Sequence, residues 1–288
     1  MKVMNYVNCT LCPRMCAVDR TAGQKGFCGC PPMAVVSKTM LHKWEEPVLA
    51  GEKGSGAIFF AGCTLRCSYC QNAAISRQPK GRQADGKALR GMMESLISQG
   101  AENIDLVTPT QYLPTVLEAL EEPLNVPVVY NCGGYERVET VEMCAGKVDI
   151  WLPDLKYSDN ALAKRLSNAP DYFRVATDAI LAMFRQVGPC EFQGDRLKKG
   201  VVIRHLILPG QVENSLKVLD WISDNFRPGE VLVSLMRQYT PMPGMPSPLD
   251  RPITDEEYDG VLSWMYLCGI HGFTQEESAA SGTFIPDF

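Results

Sequence analysis

Three cysteines at 63, 67 and 70, directly after an apolar run, constrain this 288-residue chain more than any other feature. The run from Ala57 to Gly62 reads as a short buried strand, so the thiols sit on the loop leaving its C-terminal end. A loop of this length folds back and points three thiolates at one centre. Thiolates are soft ligands suited to iron–sulfur clusters and zinc. Three of them hold three irons of a [4Fe–4S] cube and leave the fourth open to a small chelating ligand. A structural metal site closes its coordination sphere instead. The bland alternative is three unconnected buried cysteines, or half of a zinc knuckle, because buried cysteine is common.

Cys63-x3-Cys67-x-aromatic-Cys70 after an apolar strand resembles the signature of the radical S-adenosylmethionine (SAM) superfamily. The resemblance implies a [4Fe–4S] cluster on Cys63, Cys67 and Cys70 whose open iron binds the amino and carboxylate groups of SAM. Electron transfer then cleaves the S–C5′ bond, and the resulting 5′-deoxyadenosyl radical abstracts a substrate hydrogen. It also implies an electron donor such as flavodoxin or ferredoxin, and places Tyr69 near the adenine.

From Gly86 onward strand and helix alternate. Strands are expected over 103–108, 126–131, 148–154, 200–208 and 231–236, which with 57–62 makes six. Helices are expected over 86–100, 111–122, 137–145, twice before Val187, over 214–226 and over 255–268. Such repetition demands a parallel α/β sheet covered by helices, and six units are too few for the eight-stranded barrel. The pattern alone allows a doubly wound sheet; the resemblance implies a partial (β/α)6 TIM-like barrel with a small Cys-rich N-terminal extension. The expected division is a metal-binding extension over 1–56, a barrel core over 57–240, and a Pro-rich loop, helix and tail over 241–288.

In either architecture ligands bind beyond the C-terminal ends of the strands. At the second strand tip, Thr108-Pro-Thr110 stands where many superfamily members have Gly-Gly-Glu, so the SAM amino contact falls to Thr108 and Thr110. The third strand ends at Asn131-Cys132-Gly133-Gly134, where two glycines permit close backbone approach. That stretch resembles Asp-Thr-Asn-Gly of pyruvate formate-lyase activating enzyme, with Asn131 in place of the acid. Asp154-Leu-Lys156 matches the Asp-Leu-Lys of the same enzyme, whose lysine lies near the SAM carboxylate. A surface ion pair at a strand end is the bland reading of Asp154 and Lys156. Arg204 is a guanidinium inside an otherwise apolar strand, where burial without an anion is costly, so a SAM carboxylate is its expected partner. His205 faces the other way and reads as structural. Gln238 or Tyr239 could reach the ribose or the substrate. Cys132 is a strand-tip thiol that packs or reacts; Cys144, Cys190 and Cys268 read as packing residues.

The N-terminus carries a second group: Cys9-x2-Cys12-x3-Cys16, then Cys28 and Cys30 after a Gly-rich turn. Cys9, Cys12, Cys16 and Cys28 could close an all-thiolate site for zinc or a second iron–sulfur cluster, with Cys30 to spare. Free thiols in a reducing compartment are the alternative. Residues 34–44 alternate enough for a strand or hairpin arm, and His42 reads as a surface or packed histidine.

Twelve cysteines without a visible export signal argue for a reducing, cytoplasmic setting with metal ligation in place of disulfides. No apolar run approaches the roughly eighteen residues of a membrane span. The net charge of −5 gives no electrostatic footprint for nucleic acid, although a local basic patch could hide in the sum. The whole chain resembles the radical SAM proteins described as pyruvate formate-lyase activating enzyme-like. That resemblance implies hydrogen abstraction from a glycine in a partner glycyl radical enzyme. Radical modification of a small molecule, peptide or RNA is the competing enzymatic reading. A non-enzymatic iron–sulfur or zinc module is the reading outside catalysis. Activases rich in iron–sulfur ligands carry their extra cysteines after the radical loop; here they come before it.

Overall fold

The computed structural model describes residues 5–275. The N-terminal extension ends in β1 (Ala34–His42) and the short helix α1 (Pro47–Ala50), before β2 (Ser55–Phe60). Then come α2 (Ala73–Ser76), β3 (Arg82–Ala84), α3 (Gly86–Ser98), β4 (Ile104–Val107), a 3-10 turn Thr110–Tyr112 and α4 (Leu113–Ala119). β5 (Val128–Cys132), α5 (Val138–Glu142), β6 (Ile150–Pro153), α6 (Asn160–Ser167) and α7 (Tyr172–Val187) follow. The chain continues with β7 (Glu191–Gln193), β8 (Arg196–Leu206), α8 (Val212–Asn225), β9 (Leu232–Met236), α9 (Asp255–Leu267) and β10 (Gly272–Thr274).

β2, β4, β5, β6, β8 and β9 pair side by side in parallel, and these are the six strands expected from the apolar runs. β10 adds a parallel strand beyond β9, and β1 adds an antiparallel one beyond β2, with β3 outside it. The protein is therefore a partial barrel of six parallel βα units, widened at both edges. Two additions escape a sequence reading. β7 is fully exposed and forms a hairpin with β8, and β10 is three residues long. Helix expected over 111–122 is instead the 3-10 turn followed by α4, whose first turn carries Pro114.

Side chains alternate across the sheet, as strand geometry requires. Ile58, Leu106, Tyr130, Trp151, Ile203 and Val233 belong to the large core shared with the helices. On the other face Val129, Ile150, Leu152, Val202 and Leu232 pack against Val48 and Leu49 of α1. A four-residue helix has little stability of its own. α1 is held by this burial, about 1.5–3 kcal/mol for each such side chain. The Asn103 side chain donates to Leu49 O at 2.8 Å and Arg196 to Pro47 O at 3.0 Å. α1 thus closes the inner face near the N-terminal ends of the strands. Ligands must enter from the other end, where each strand hands over to its loop.

Candidate active site

A cavity of about 740 Å³ occupies the inner face of the sheet and opens past the strand tips. Cys63, Cys67 and Cys70 line it together, with Tyr69 between them and Thr108, Asn131, Gly133, Asp154, Lys156 and Arg204 opposite. Ten of the eleven residues expected from the radical loop and strand tips therefore meet in one space. Thr110 is the exception. It is 1% exposed, and its hydroxyl donates to Glu136 Oε1 at 2.8 Å, so it is turned away from the cavity. The strand-end turn explains this: Thr108 adopts φ +60°, which is uncommon for a β-branched residue and reverses the chain before Thr110.

Each sulfur of the loop already accepts a hydrogen bond. The Leu65 N–H donates to Cys63 Sγ at 3.4 Å, the Ser167 hydroxyl to Cys67 Sγ at 3.0 Å and the Ser76 hydroxyl to Cys70 Sγ at 3.5 Å. Three donors aimed at three sulfurs suit thiolates, which carry no proton of their own. Without a metal, Cys63 and Cys67 favour the thiol form. Burial, reinforced by Cys67, pushes the Cys63 thiol up to about 12, and burial raises that of Cys67. Two glycines bring the β5 tip close. A Cβ on Gly133 would meet Leu65 Cδ1 at 2.8 Å, and one on Gly134 would meet Asp154 O at 2.0 Å.

Lys156 Nζ and Asp154 Oδ2 are 2.5 Å apart, and Arg204 Nε donates to Asp154 Oδ1 at 2.9 Å. Arg204 also donates to Asn131 Oδ1 at 2.6 Å and lies 3.7 Å from Glu45. The anions that compensate Arg204 thus come from the chain itself, one of them from the N-terminal extension. Burial alone would raise the Asp154 carboxyl, but Arg204 and then Lys156 outweigh it and hold it below the usual range. Glu46, next along, is pushed up to about 7, by burial first and by Glu45 second.

Tyr69 is buried; its hydroxyl lies 2.7 Å from that of Tyr157, which lies 2.7 Å from Ser167 Oγ. Gln238 and Tyr239 both line the cavity, and the Tyr239 hydroxyl donates to Leu249 O at 2.7 Å, anchoring the Pro-rich loop. His42 lines it too, with its ring edge-on to Phe59. His205 is structural: buried between Leu155 O and Ser215 Oγ, it is pulled down to about 4 by burial. Cys132 lies at the cavity wall, buried, with its thiol pushed up by burial. Ser76, Tyr157 and Ser167 carry no motif and could not be singled out from sequence.

The N-terminal cysteines lie behind the radical loop. Arg14 joins the two, donating to Thr64 O and Ser167 O at 2.9 Å each and to Asn168 O. The Phe27 N–H donates to Cys16 Sγ at 3.3 Å, and Arg20 Nη1 reaches Cys9 Sγ at 3.8 Å. A hydrogen bond from Cys30 pulls the Cys28 thiol down to about 6 against burial, and Cys30 rises correspondingly. Among the described residues, no three His, Cys, Asp or Glu side chains gather at the spacing of a single metal ion. No helix among them is long and apolar enough to cross a membrane.

No family model matches the chain. The uncharacterized protein MJ0674 of Methanocaldococcus jannaschii is 30% identical over 246 residues, 82% of this chain and 67% of its own. Among solved structures, a radical SAM methyltransferase from Sphaerobacter thermophilus matches with TM-score 0.54 and 15% identity, over 77% of this chain. Streptococcus suis SuiB, solved bound to S-adenosylmethionine, matches with TM-score 0.51 and 14% identity over 75% of this chain. The chain spans 66% and 48% of those two proteins' lengths. At these identities the likeness is one of fold.

Proposed function

We propose that the chain is a radical SAM enzyme with its cluster on Cys63, Cys67 and Cys70, a reading supported by a fold like that of solved radical SAM enzymes. The observation that carries this reading is the triad of hydrogen-bonded thiols in one cavity with Asp154, Lys156 and Arg204. Three soft donors with no carboxylate in the loop between them suit a [4Fe–4S] cluster with one open iron. When bound, cluster and SAM supply a 5′-deoxyadenosyl radical that abstracts a hydrogen atom from substrate. Around them the chain's own groups bind and orient. Lys156 offers its ammonium to the SAM carboxylate and Asp154 fixes it, while Arg204, already matched by Asp154 and Glu45, braces Asp154 from the other side. Thr108 and Asn131 offer polar contacts to the SAM amino and ribose groups, and α1 keeps the inner end of the cavity closed.

The substrate reading is a glycine Cα–H in a partner protein, supported by the likeness of Asp154-Leu-Lys156 to the activating enzyme. A small electron-transfer protein such as flavodoxin or ferredoxin supplies the electron. The experiment is anaerobic reconstitution, reduction with dithionite in the presence of SAM, and detection of 5′-deoxyadenosine. The parent is expected to form it and the Cys63/Cys67/Cys70→Ala variant is not. A parent that binds no iron, or equal turnover in both, defeats the reading. A doublet radical EPR signal in a candidate partner protein would identify the activase subtype; its absence with product still formed points to a small molecule, peptide or RNA.

A further inference from the structure

Cys9, Cys12, Cys16, Cys28 and Cys30 take no part in the cavity, yet the chain concentrates unbalanced positive charge around them. Arg20 is 1% exposed. Its guanidinium donates to Cys30 O, Gln111 O and Pro31 O and approaches Cys9 Sγ, with no carboxylate among these partners. Arg14 and Arg66 stand over the Phe27 ring at 4.0 and 5.3 Å, beside Cys28 in the chain. The hydrogen bonds of Arg14 all go to carbonyls, and Arg66 Nε has no partner. A buried guanidinium without a counter-anion is costly. The groups that face Arg20 in place of a carboxylate are the sulfurs of Cys28, Cys9 and Cys30.

Two further details point the same way. Tyr112 is fully buried, its hydroxyl meets the Cys30 sulfur and no oxygen or nitrogen partner, and its other electrostatic neighbours are Arg20 and Cys28. Cys16 Sγ already accepts the Phe27 N–H, as a thiolate ligand would. Cys30 differs from the rest. Its thiol lies 3.5 Å from Cys28 O and 3.7 Å from Ala61 O, wedged against Gly62, so it is committed to packing.

We propose that Cys9, Cys12, Cys16 and Cys28 hold a second, fully ligated [4Fe–4S] cluster whose negative charge Arg20 balances. Zinc, at about 2.3 Å from each sulfur, needs its thiols almost in contact. The N-terminal thiols are not gathered at single-ion spacing, and neither are those of the radical loop. An iron–sulfur cube takes more widely set sulfurs, and Cys12 has Cys28 and Cys16 as electrostatic neighbours. Ligation releases the thiol protons and leaves the thiolates of Cys9 and Cys28 beside Arg20.

The test uses the full chain, reconstituted anaerobically with iron and sulfide. The parent, Cys63/Cys67/Cys70→Ala, Cys12/Cys16→Ser and Cys30→Ser are compared by metal and sulfide content and by EPR after reduction. The expectation is about eight irons in the parent and in Cys30→Ser, and about four in each of the other two. The signal retained by Cys63/Cys67/Cys70→Ala should not change when SAM is added, because a closed cluster has no open iron. If that folded variant holds about one zinc, or no metal, while the parent carries about four irons, the proposal is overturned. Failure of the radical reading looks different: Cys63/Cys67/Cys70→Ala would then lose no iron relative to the parent.

Discussion

The Ser167 hydroxyl donates to Cys67 Sγ at 3.0 Å, joining the end of α6 to a loop one hundred residues earlier. Behind it the Tyr157 and Tyr69 hydroxyls continue the chain at 2.7 Å each. With Cys67 ligating a cluster, the sulfur has no proton to give, so the chain orders in one sense: Tyr69 to Tyr157 to Ser167 to sulfur. A hydrogen bond to a ligating sulfur favours the reduced, more negative cluster and so raises its potential. Ser167→Ala should lower the midpoint potential by up to roughly 60 mV, a tenfold change for one electron. Ser167→Thr should restore it. An unchanged potential in a redox titration of Ser167→Ala would show that the bond does not reach the cluster's electronics.

What sequence could foresee here depends on range. The six parallel strands are readable because each is a local run of apolar residues, and the radical loop because its three thiols fall within eight residues. The partners of those thiols are not. Ser167 is ordinary in sequence and meets Cys67 only through the packing of α6, and Glu45 meets Arg204 across 159 positions. The anion for Arg204 was therefore sought in a ligand, whereas Asp154 and Glu45 are in place. The Thr110 hydroxyl turns from the cavity for a local reason that its neighbours do not announce, the left-handed backbone at Thr108. α1 was invisible because four residues carry no helical period.

Glu136 makes a pH-dependent prediction. Burial pushes its carboxyl up to about 8, against the pull of the Thr110 hydroxyl. Unfolded, it titrates near about 4.3. Between those values the folded chain holds a proton that the unfolded chain has lost. Its contribution to stability is therefore full below about pH 4, falls as pH rises, and is lost through pH 8. Glu136→Gln keeps the acceptor for Thr110 and removes the titration. The stability advantage of the variant should be small at pH 5 and grow to the order of 3 kcal/mol at pH 8. Urea denaturation across that range measures it, and a gap that does not change with pH contradicts the assignment.

Arg14 holds three backbone carbonyls together: Thr64 of the radical loop, Ser167 at the end of α6 and Asn168 just after it. Lysine offers a point charge and cannot fork to all three. Arg14→Lys should cost about 1–3 kcal/mol, because buried carbonyls lose their donors. The reconstituted radical cluster should also bleach faster in chelator, since the loop carrying Cys63 and Cys67 is freed on one side. Following the visible iron–sulfur absorbance in Cys12/Cys16→Ser, with and without Arg14→Lys, isolates that cluster. Equal decay would mean that Arg14 supports only the fold.

Gly62 leaves the space that Cys30 fills where the extension packs beside the radical loop. Gly62 has φ +79°, and a Cβ there would stand 2.2 Å from Cys30 Sγ. Gly62→Ala therefore meets two separate costs, a left-handed backbone and an overlap with sulfur. The backbone cost is about 1 kcal/mol and cannot be relieved by any neighbour. The overlap adds roughly 1–3 kcal/mol and vanishes when the sulfur is removed. Cys30→Ala alone should cost about 1 kcal/mol through lost packing. Combined, the two changes should cost less than their sum by about 1–2 kcal/mol, the sign expected for residues in direct contact. A double-mutant cycle by chemical denaturation measures the difference. Additivity within about 0.5 kcal/mol would mean that the two residues do not press on each other, and that the extension meets the radical loop through Arg14 instead.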